Sequence, residues 1–298
     1  MNRRRFLALV AASGAVAASP ARAFRLDPVE WRGVAMGAPA RLILHHEDRA
    51  AALALLAECE AELTRLERVF SLYRADSALS RLNARGALEA PPLDLVQVLS
   101  QAGQVWRHSD ALFDPTVQPL WDLHARHFAR ADADPRGPSA AQLEAVRGAV
   151  GWSGLSMSPE RITLRPGMAL TLNGIAQGYA ADCMAALLRR RGMRHALVDM
   201  GEVAALGRRG DGRAWSARTP DGATRFLSHG GLAVSMADGT RFSPLCHHLF
   251  DPLAGRCAPP TAAIVVQAPS ATLADAISTA IAVSGGRLTT RDFGDLIH

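Results

Sequence analysis

Near the C-terminal end the chain reads TLADAISTAIAVSG, from Thr272 to Gly285. Leu273, Ala276, Ile277, Ala280, Ile281 and Val283 have the spacing of a buried helix, yet Asp275 and Thr279 sit among them four residues apart. Residues four apart share one face of a helix. A buried carboxylate is costly unless it is paired or bound to a cation. A carboxylate and a hydroxyl one turn apart offer two oxygen ligands of the kind that Mg2+ takes, with waters and phosphate oxygens completing its shell. An alternative stays open: Asp275 pairs with an arginine, and Thr279 bonds back to a carbonyl one turn earlier.

Two further stretches carry chemistry. In TLNGIAQGYAADCMAALL, Gly174 and Gly178 flank Ile175-Ala176-Gln177 where an extended segment hands over to a helix. Glycines there let backbone approach a ligand, and a helix start offers N–H groups and a positive dipole end to a phosphate. The same residues also suit a plain tight turn. In HHLFDPLAG (247–255), His247 and His248 would point to opposite faces of a strand, so one of them at most faces a cleft. A neutral histidine at a cleft is a natural general base for a hydroxyl, and a histidine satisfied by backbone is the alternative.

Composition removes several function classes. All 33 basic residues are arginine, which excludes a P-loop lysine, a Schiff-base lysine and a Ser–Lys dyad. No G-x-S-x-G, H-E-x-x-H, G-x-G-x-x-G or EF-hand loop is present. Residues 1–23, MNRRRFLALVAASGAVAASPARA, read as an export signal: an arginine cluster, an apolar run too short to span a bilayer, and Ala21-Arg22-Ala23 as cleavage site. The arginines followed by Phe6-Leu7 have the twin-arginine form. Without Arg3, Arg4, Arg5 and Arg22 the formal charge of +5 falls to 5 − 4 = +1, so the basic balance does not argue for nucleic acid. An exported chain is free to form disulfides. Cys59 and Cys183 fall in helical patterns and read as buried thiols, whereas Cys246 and Cys257 are placed to pair across a hairpin or to stay free.

The elements that must position these groups are mixed. A strand is expected at ARLILHH, with His45-His46 as a solvated strand end, followed by a long amphipathic helix over 47–70. A second helix follows Pro91-Pro92, and Ser139 caps a short helix running toward Gly151. The stretch ITLRPGMALTLN (162–173) reads as a hairpin of two short strands. A helix from Ala176 stops at Gly192, HALVDMG is a buried strand, and TAAIVVQAP precedes the last helix. Helices and strands alternate without a βαβ period, which predicts one α+β domain over 24–298.

Six blocks in order, from Gly33 to Gly285, resemble the ApbE family of FAD:protein FMN transferases: GVAMGAPARLIL, FSLYRADSALSRLN, LFDPTVQPLWDL, NGIAQGYAADC, VDMGEVAALG and, at the end, HHLFDP with the Asp275–Thr279 helix. The resemblance implies a single T-fold-like α+β domain, with antiparallel sheets and packed helices. It implies an enzyme that splits FAD with Mg2+, attaches FMN by a phosphoester to a Thr or Ser of an acceptor protein, and releases AMP. It assigns metal binding to Gly174, Asp275 and Thr279, flavin contacts to Met36, Ser71, Leu72, Tyr73, Asp114, Gln177 and Leu249, and the general base to His248. Asp114 also has the position of a cap before Pro115, and Tyr73 that of a core residue with its hydroxyl at the surface. The chain departs from the family pattern at Asn173-Gly174, Gln177 and Ser235-Met236. These variants are similar to the NosX subgroup, which implies a periplasmic setting and a NosR-like membrane redox protein as acceptor. Gln177 and Met236 motivate one competing expectation, a non-catalytic FAD-binding accessory protein; another keeps the metal and drops the acceptor, an FAD pyrophosphatase.

Overall fold

The computed structural model describes residues 26–297, so the expected signal segment lies outside the described residues. The chain opens with a hairpin, β1 (Pro28–Ala35) and β2 (Ala38–His45), joined by Met36 (φ 52°) and Gly37 (φ 77°). Two positive φ angles are what a tight hairpin turn demands. Next come α1 (Arg49–Phe70), α2 (Ala78–Arg85), β3 (Ala87–Glu89), α3 (Leu93–His108), α4 (Gln118–Phe128) and α5 (Ala140–Arg147). They are followed by β4 (Leu155–Met157), β5 (Arg161–Leu164) and α6 (Ala176–Arg190). The C-terminal half adds β6 (Ala196–Asp199), β7 (Val203–Leu206), the hairpin β8 (Trp215–Arg218) and β9 (Thr224–Leu227), and β10 (His229–Ser235). The short strands β11 (Arg241–Ser243), β12 (Cys246–His247), β13 (Phe250–Asp251) and β14 (Arg256–Cys257) lead to β15 (Ile264–Ala268), α7 (Ala271–Val283) and the terminal α8 (Gly294–Ile297).

Six strands form the central sheet in the order β1-β2-β6-β7-β10-β15, antiparallel at every pairing. Strand residues alternate between two cores. Leu42, Leu44, Ala196, Val198, Ala204 and Leu206 face the main core, which α1, α6 and α7 complete. Ile43, Leu197, Val203 and Ala205 face the opposite side, where Trp215, Ala217 and Leu227 of the β8–β9 hairpin cover them. Both faces are therefore buried, which is why HALVDMG and VAAL read as continuous apolar runs. The α+β class and the antiparallel sheet agree with the sequence.

Three local expectations need correction. The helix after Ser139 ends at Arg147 rather than near Gly151, with Ser139 and Gln142 closing a capping box at its start. Residues 162–173 are not a hairpin, because β5 pairs with β3 and β4. The backbone of Leu170 is satisfied instead by one side chain: the Asn83 amide donates to its carbonyl (2.9 Å) and the Asn83 oxygen accepts from its N–H (2.8 Å). His45 is not a solvated strand end. It is buried beside Trp215 (ring centroids 5.3 Å), with its Nδ1 2.8 Å from the Leu26 carbonyl.

The close approach of α6 and α7 fixes the geometry that matters most. Asp182 of α6 caps the start of α7, accepting from the Ala271 and Thr272 amides at 2.9 and 2.8 Å. Four residues earlier, Gly178 lies so near α7 that a Cβ there would stand 2.3 Å from the Ala271 carbonyl oxygen. Gly178→Ala is expected to push the two helices apart and to cost about 1–3 kcal/mol, as overpacking does. Urea denaturation checks this against Gly148→Ala, where an added Cβ meets nothing within 4 Å at φ −63° and stability is expected to hold or rise.

Candidate active site

A cleft of about 910 Å³ opens where the start of α6, the outer face of α7, the end of β10 and the 238–250 segment converge. Gly174, Asp275 and Thr279 line it together, although about a hundred residues separate the glycine from the helix. The contact is tight: a Cβ on Gly174 would meet Thr279 Oγ1 at 3.0 Å and its Cγ2 at 3.1 Å. No larger residue fits there without displacing the threonine.

The side chains themselves separate the alternatives left open by the sequence. Asp275 is buried, and its carboxylate accepts from the Gly178 amide (3.2 Å); among the described residues no guanidinium pairs with it. Burial pushes its carboxyl above the usual range, the Gly178 N–H opposes that shift, and the neighbouring Asp182 adds to it. Thr279 Oγ1 lies 3.2 Å from the Ser235 hydroxyl, and Ser235 in turn lies 2.7 Å from Ser278 Oγ. It is Ser278 that bonds back along the helix, to the Asp275 carbonyl at 2.9 Å. The pair Asp275–Thr279 thus faces the cleft with oxygen atoms and a buried carboxyl that has no countercharge among the described residues. The donor set of carboxylate, hydroxyl and backbone carbonyl suits a hard divalent cation.

The remaining predicted residues fall in three places. Tyr73, Asp114, Gln177, His248 and Leu249 line the same cleft. Leu72 lines a smaller neighbouring hollow that shares Tyr73, Trp121 and Asn173 with it. Met36 and Ser71 act behind the rim. The Met36 amide donates to Glu67 of α1 (3.0 Å), which sets the hairpin turn and brings Gly37, Ala38 and Pro39 to the cleft. Ser71 ends α1, accepts from the Tyr73 and Arg74 amides (3.1 and 3.3 Å), and receives Ser77 and Ser80 hydroxyls on its carbonyl. Tyr73 is exposed rather than core. Asp114 is a cap as well as a cleft residue: it accepts from the Thr116 amide and hydroxyl (2.8 and 2.7 Å) and from the Trp152 amide (3.0 Å). Gln177 reaches across to donate to the Met200 carbonyl (3.0 Å). At Met236, one of the departures from the family pattern, the backbone is extended (φ −142°), a conformation any residue adopts.

His248 and His247 divide as strand alternation requires. His248 lines the cleft, its Nδ1 held near the Thr240 backbone (3.3 Å from the amide, 3.1 Å from the carbonyl). His247 is buried, accepts from the Leu249 amide (3.3 Å), and burial lowers its basicity. Cys246 and Cys257, on either side of this segment, form a disulfide, while Cys59 and Cys183 are free thiols.

Two acids that line the cleft received no role from the sequence: Asp199 and Glu202, at either end of the β6–β7 turn. Glu202 keeps one carboxylate oxygen buried without a partner among the described residues, and burial together with Asp275 and Asp199 raises its proton affinity. The signal was available as two acids bracketing Met200-Gly201 inside a run otherwise apolar enough for a core strand.

Known proteins place this architecture. The flavinyl transferase ApbE of Pseudomonas stutzeri superposes with a TM-score of 0.73 at 29% identity, covering 86% of this chain and 84% of that one. The ApbE protein of Thermotoga maritima shares the fold at a TM-score of 0.79 and 24% identity, covering 91% and 92%. The FAD:protein FMN transferase of Escherichia coli K12 is 26% identical over 290 residues, 89% of this chain and 81% of that protein. The fold is thus that of a flavin-transferase class. The ApbE family model matches residues 36–290, and the chain belongs to the ApbE family.

The buried acids make the free protein's stability depend on pH. Burial raises the Asp199 carboxyl to about 6, against the Gly201 N–H and Arg41, which lower it. A raised folded-state value means the native state holds its proton longer than the unfolded chain. Stability is then full below pH ~4 and is lost as pH rises through ~6, by about 3 kcal/mol. Asp199→Asn is expected to be more stable than the parent at pH 8, with the gap closing by pH 4. Urea titrations of the metal-free and flavin-free protein check it.

Proposed function

We propose that this chain is an Mg2+-dependent FAD:protein FMN transferase that joins FMN through a phosphoester to a Thr or Ser hydroxyl of an acceptor protein and releases AMP. Family membership supports the flavin transfer, since several curated relatives bear that name. The observation that carries the finer reading is the convergence of the Asp275 carboxylate, the Thr279 hydroxyl and the Gly174 backbone on one wall of the cleft. Those three groups would hold Mg2+, which when bound neutralises diphosphate charge and serves as a template for displacement at phosphorus.

The protein's own groups do the rest. His248, steadied at the Thr240 backbone, takes the proton from the acceptor hydroxyl as its oxygen bonds to the FMN phosphorus and the bond to the AMP oxygen breaks. Gln177 and Leu249 shape the flavin's environment, one by an amide anchored on Met200 and one by apolar contact. Tyr73 and the Met36-Gly37 hairpin frame the mouth. We also place the protein in the periplasm, exported through the twin-arginine route, with a NosR-like membrane redox protein as acceptor. The signal-like residues 1–23, the NosX-like variants and a disulfide suited to an oxidising compartment favour this setting.

Incubation of the protein with FAD, Mg2+ and an acceptor bearing the Thr or Ser site tests the reading by mass spectrometry. Covalent FMN on the acceptor and one AMP per transfer are expected. FAD cleavage without acceptor modification would make the protein a pyrophosphatase, and binding without cleavage would make it an accessory protein. Asp275→Ala is expected to cut transfer by a factor of ~100 or more with the fold retained by circular dichroism. His248→Asn is expected to lower the rate by roughly 10²–10⁴ while FAD still binds. Full activity in either variant contradicts the role given to that residue.

A further inference from the structure

Behind the cleft wall lies a second constellation that flavin transfer does not use. His124 of α4, Cys246 of β12 and Cys257 of β14 bring one ring nitrogen and two sulfurs within 4.8 Å of one another. His124 and Cys246 are buried and Cys257 is half-buried. The imidazole is oriented for ligation. Its Nδ1 sits 2.7 Å from the Leu120 carbonyl, which only accepts, so Nδ1 carries the hydrogen and Nε2 keeps its lone pair. A backbone carbonyl on the far nitrogen is the usual partner of a metal-bound histidine. Aromatic rings enclose the group: Phe250 at 4.7 Å from the His124 ring, with Phe242 and Phe128 beyond it.

We propose that Cys246, Cys257 and His124 form a thiol-gated zinc site. In the oxidised protein the two sulfurs are joined and cannot ligate a metal. Reduction by a dithiol or a phosphine breaks the S–S bond and delivers two thiols, the reductant being oxidised by two electrons. Zn2+ then displaces the two thiol protons and is held by two thiolates and the His124 imidazole. Zinc takes sulfur at ~2.3 Å and imidazole nitrogen at ~2.0–2.1 Å, so atoms already grouped this closely need only small shifts to surround it. Three protein ligands leave a fourth position for water. The cysteine Cα atoms stand 5.9 Å apart, a spacing that two strands presenting ligands to one ion also satisfy. His248 and Leu249 lie on the loop between the two cysteines, so the two states of the site share a segment with the cleft wall.

The test uses the whole protein with excess Mg2+ and needs no flavin. Phosphine-reduced protein, freed of reductant without air, is titrated with zinc against a chromophoric chelator. One more equivalent is expected to bind than to the oxidised protein. Cobalt in its place should give a thiolate-to-metal charge-transfer band. Cys246→Ser/Cys257→Ser should lose the extra equivalent, and His124→Gln should weaken it about tenfold or more. Cys59 and Cys183 are present throughout and cancel in the comparison. Equal zinc binding by reduced and oxidised protein overturns the proposal, as does an extra equivalent retained by the double serine variant. Should that variant fail to fold, the oxidised wild type supplies the comparison in which Cys246 and Cys257 offer no thiolate.

Discussion

A buried carboxylate that accepts a backbone N–H, with no arginine beside it among the described residues, is the constraint on which the rest of this structure depends. Asp275 on α7 is taken out of water and, among the described residues, receives the Gly178 amide alone. An isolated charge in such a place is unfavourable by several kcal/mol unless it is neutralised by a proton or a cation. The fold accepts that cost and holds a carboxylate fixed at the cleft. Everything around it serves the same end. Gly178 lets α6 come near enough for its amide to reach the carboxylate. Gly174, one turn earlier, lets the incoming backbone touch Thr279. Asp182 pins the start of α7 so that neither contact drifts.

The sheet supplies the frame and the short C-terminal strands supply the variable wall. Because both faces of the sheet are buried, β6, β7 and β10 are rigid, and their ends deliver Asp199, Glu202 and Ser235 to the cleft with little freedom. The 238–250 segment is held differently, by backbone contacts at Thr240 and by the Cys246–Cys257 bond behind it. The cleft thus joins a stiff acidic floor to a tethered wall that carries the histidine. A diphosphate held on the floor and a hydroxyl approaching from the wall would meet between them.

Much of this was legible in the sequence wherever one element carried the signal. The 3.6-residue period marked α1, α3, α6 and α7, and the Asp275–Thr279 interval marked the polar pair that α7 turns to the cleft. What failed was whatever depended on a partner far along the chain. Nothing in ITLRPGMALTLN announces that Asn83 will satisfy Leu170, or that β5 will pair with β3. His45 reads as polar until Trp215 covers it. The helices α2 and α4 are short, and their sequences read first as motif blocks, although Ser77 and Pro119 are ordinary helix-start residues. Asp199 and Glu202 escaped for a related reason, since an acid at a strand end looks solvated until both faces of the sheet are known to be closed.

The central claim is that Asp275, Thr279 and Gly174 surround one divalent ion that bridges to a nucleotide's diphosphate. A crystal structure of the protein with FAD and Mn2+, the metal located by anomalous scattering, tests it most directly. The account predicts a single peak at bonding distance, roughly 2.0–2.3 Å, from the Asp275 carboxylate, Thr279 Oγ1 and the Gly174 carbonyl oxygen, with diphosphate oxygens on its open side. A peak held by Asp199 and Glu202 instead, or FAD seated with no metal at the α6–α7 contact, would contradict it.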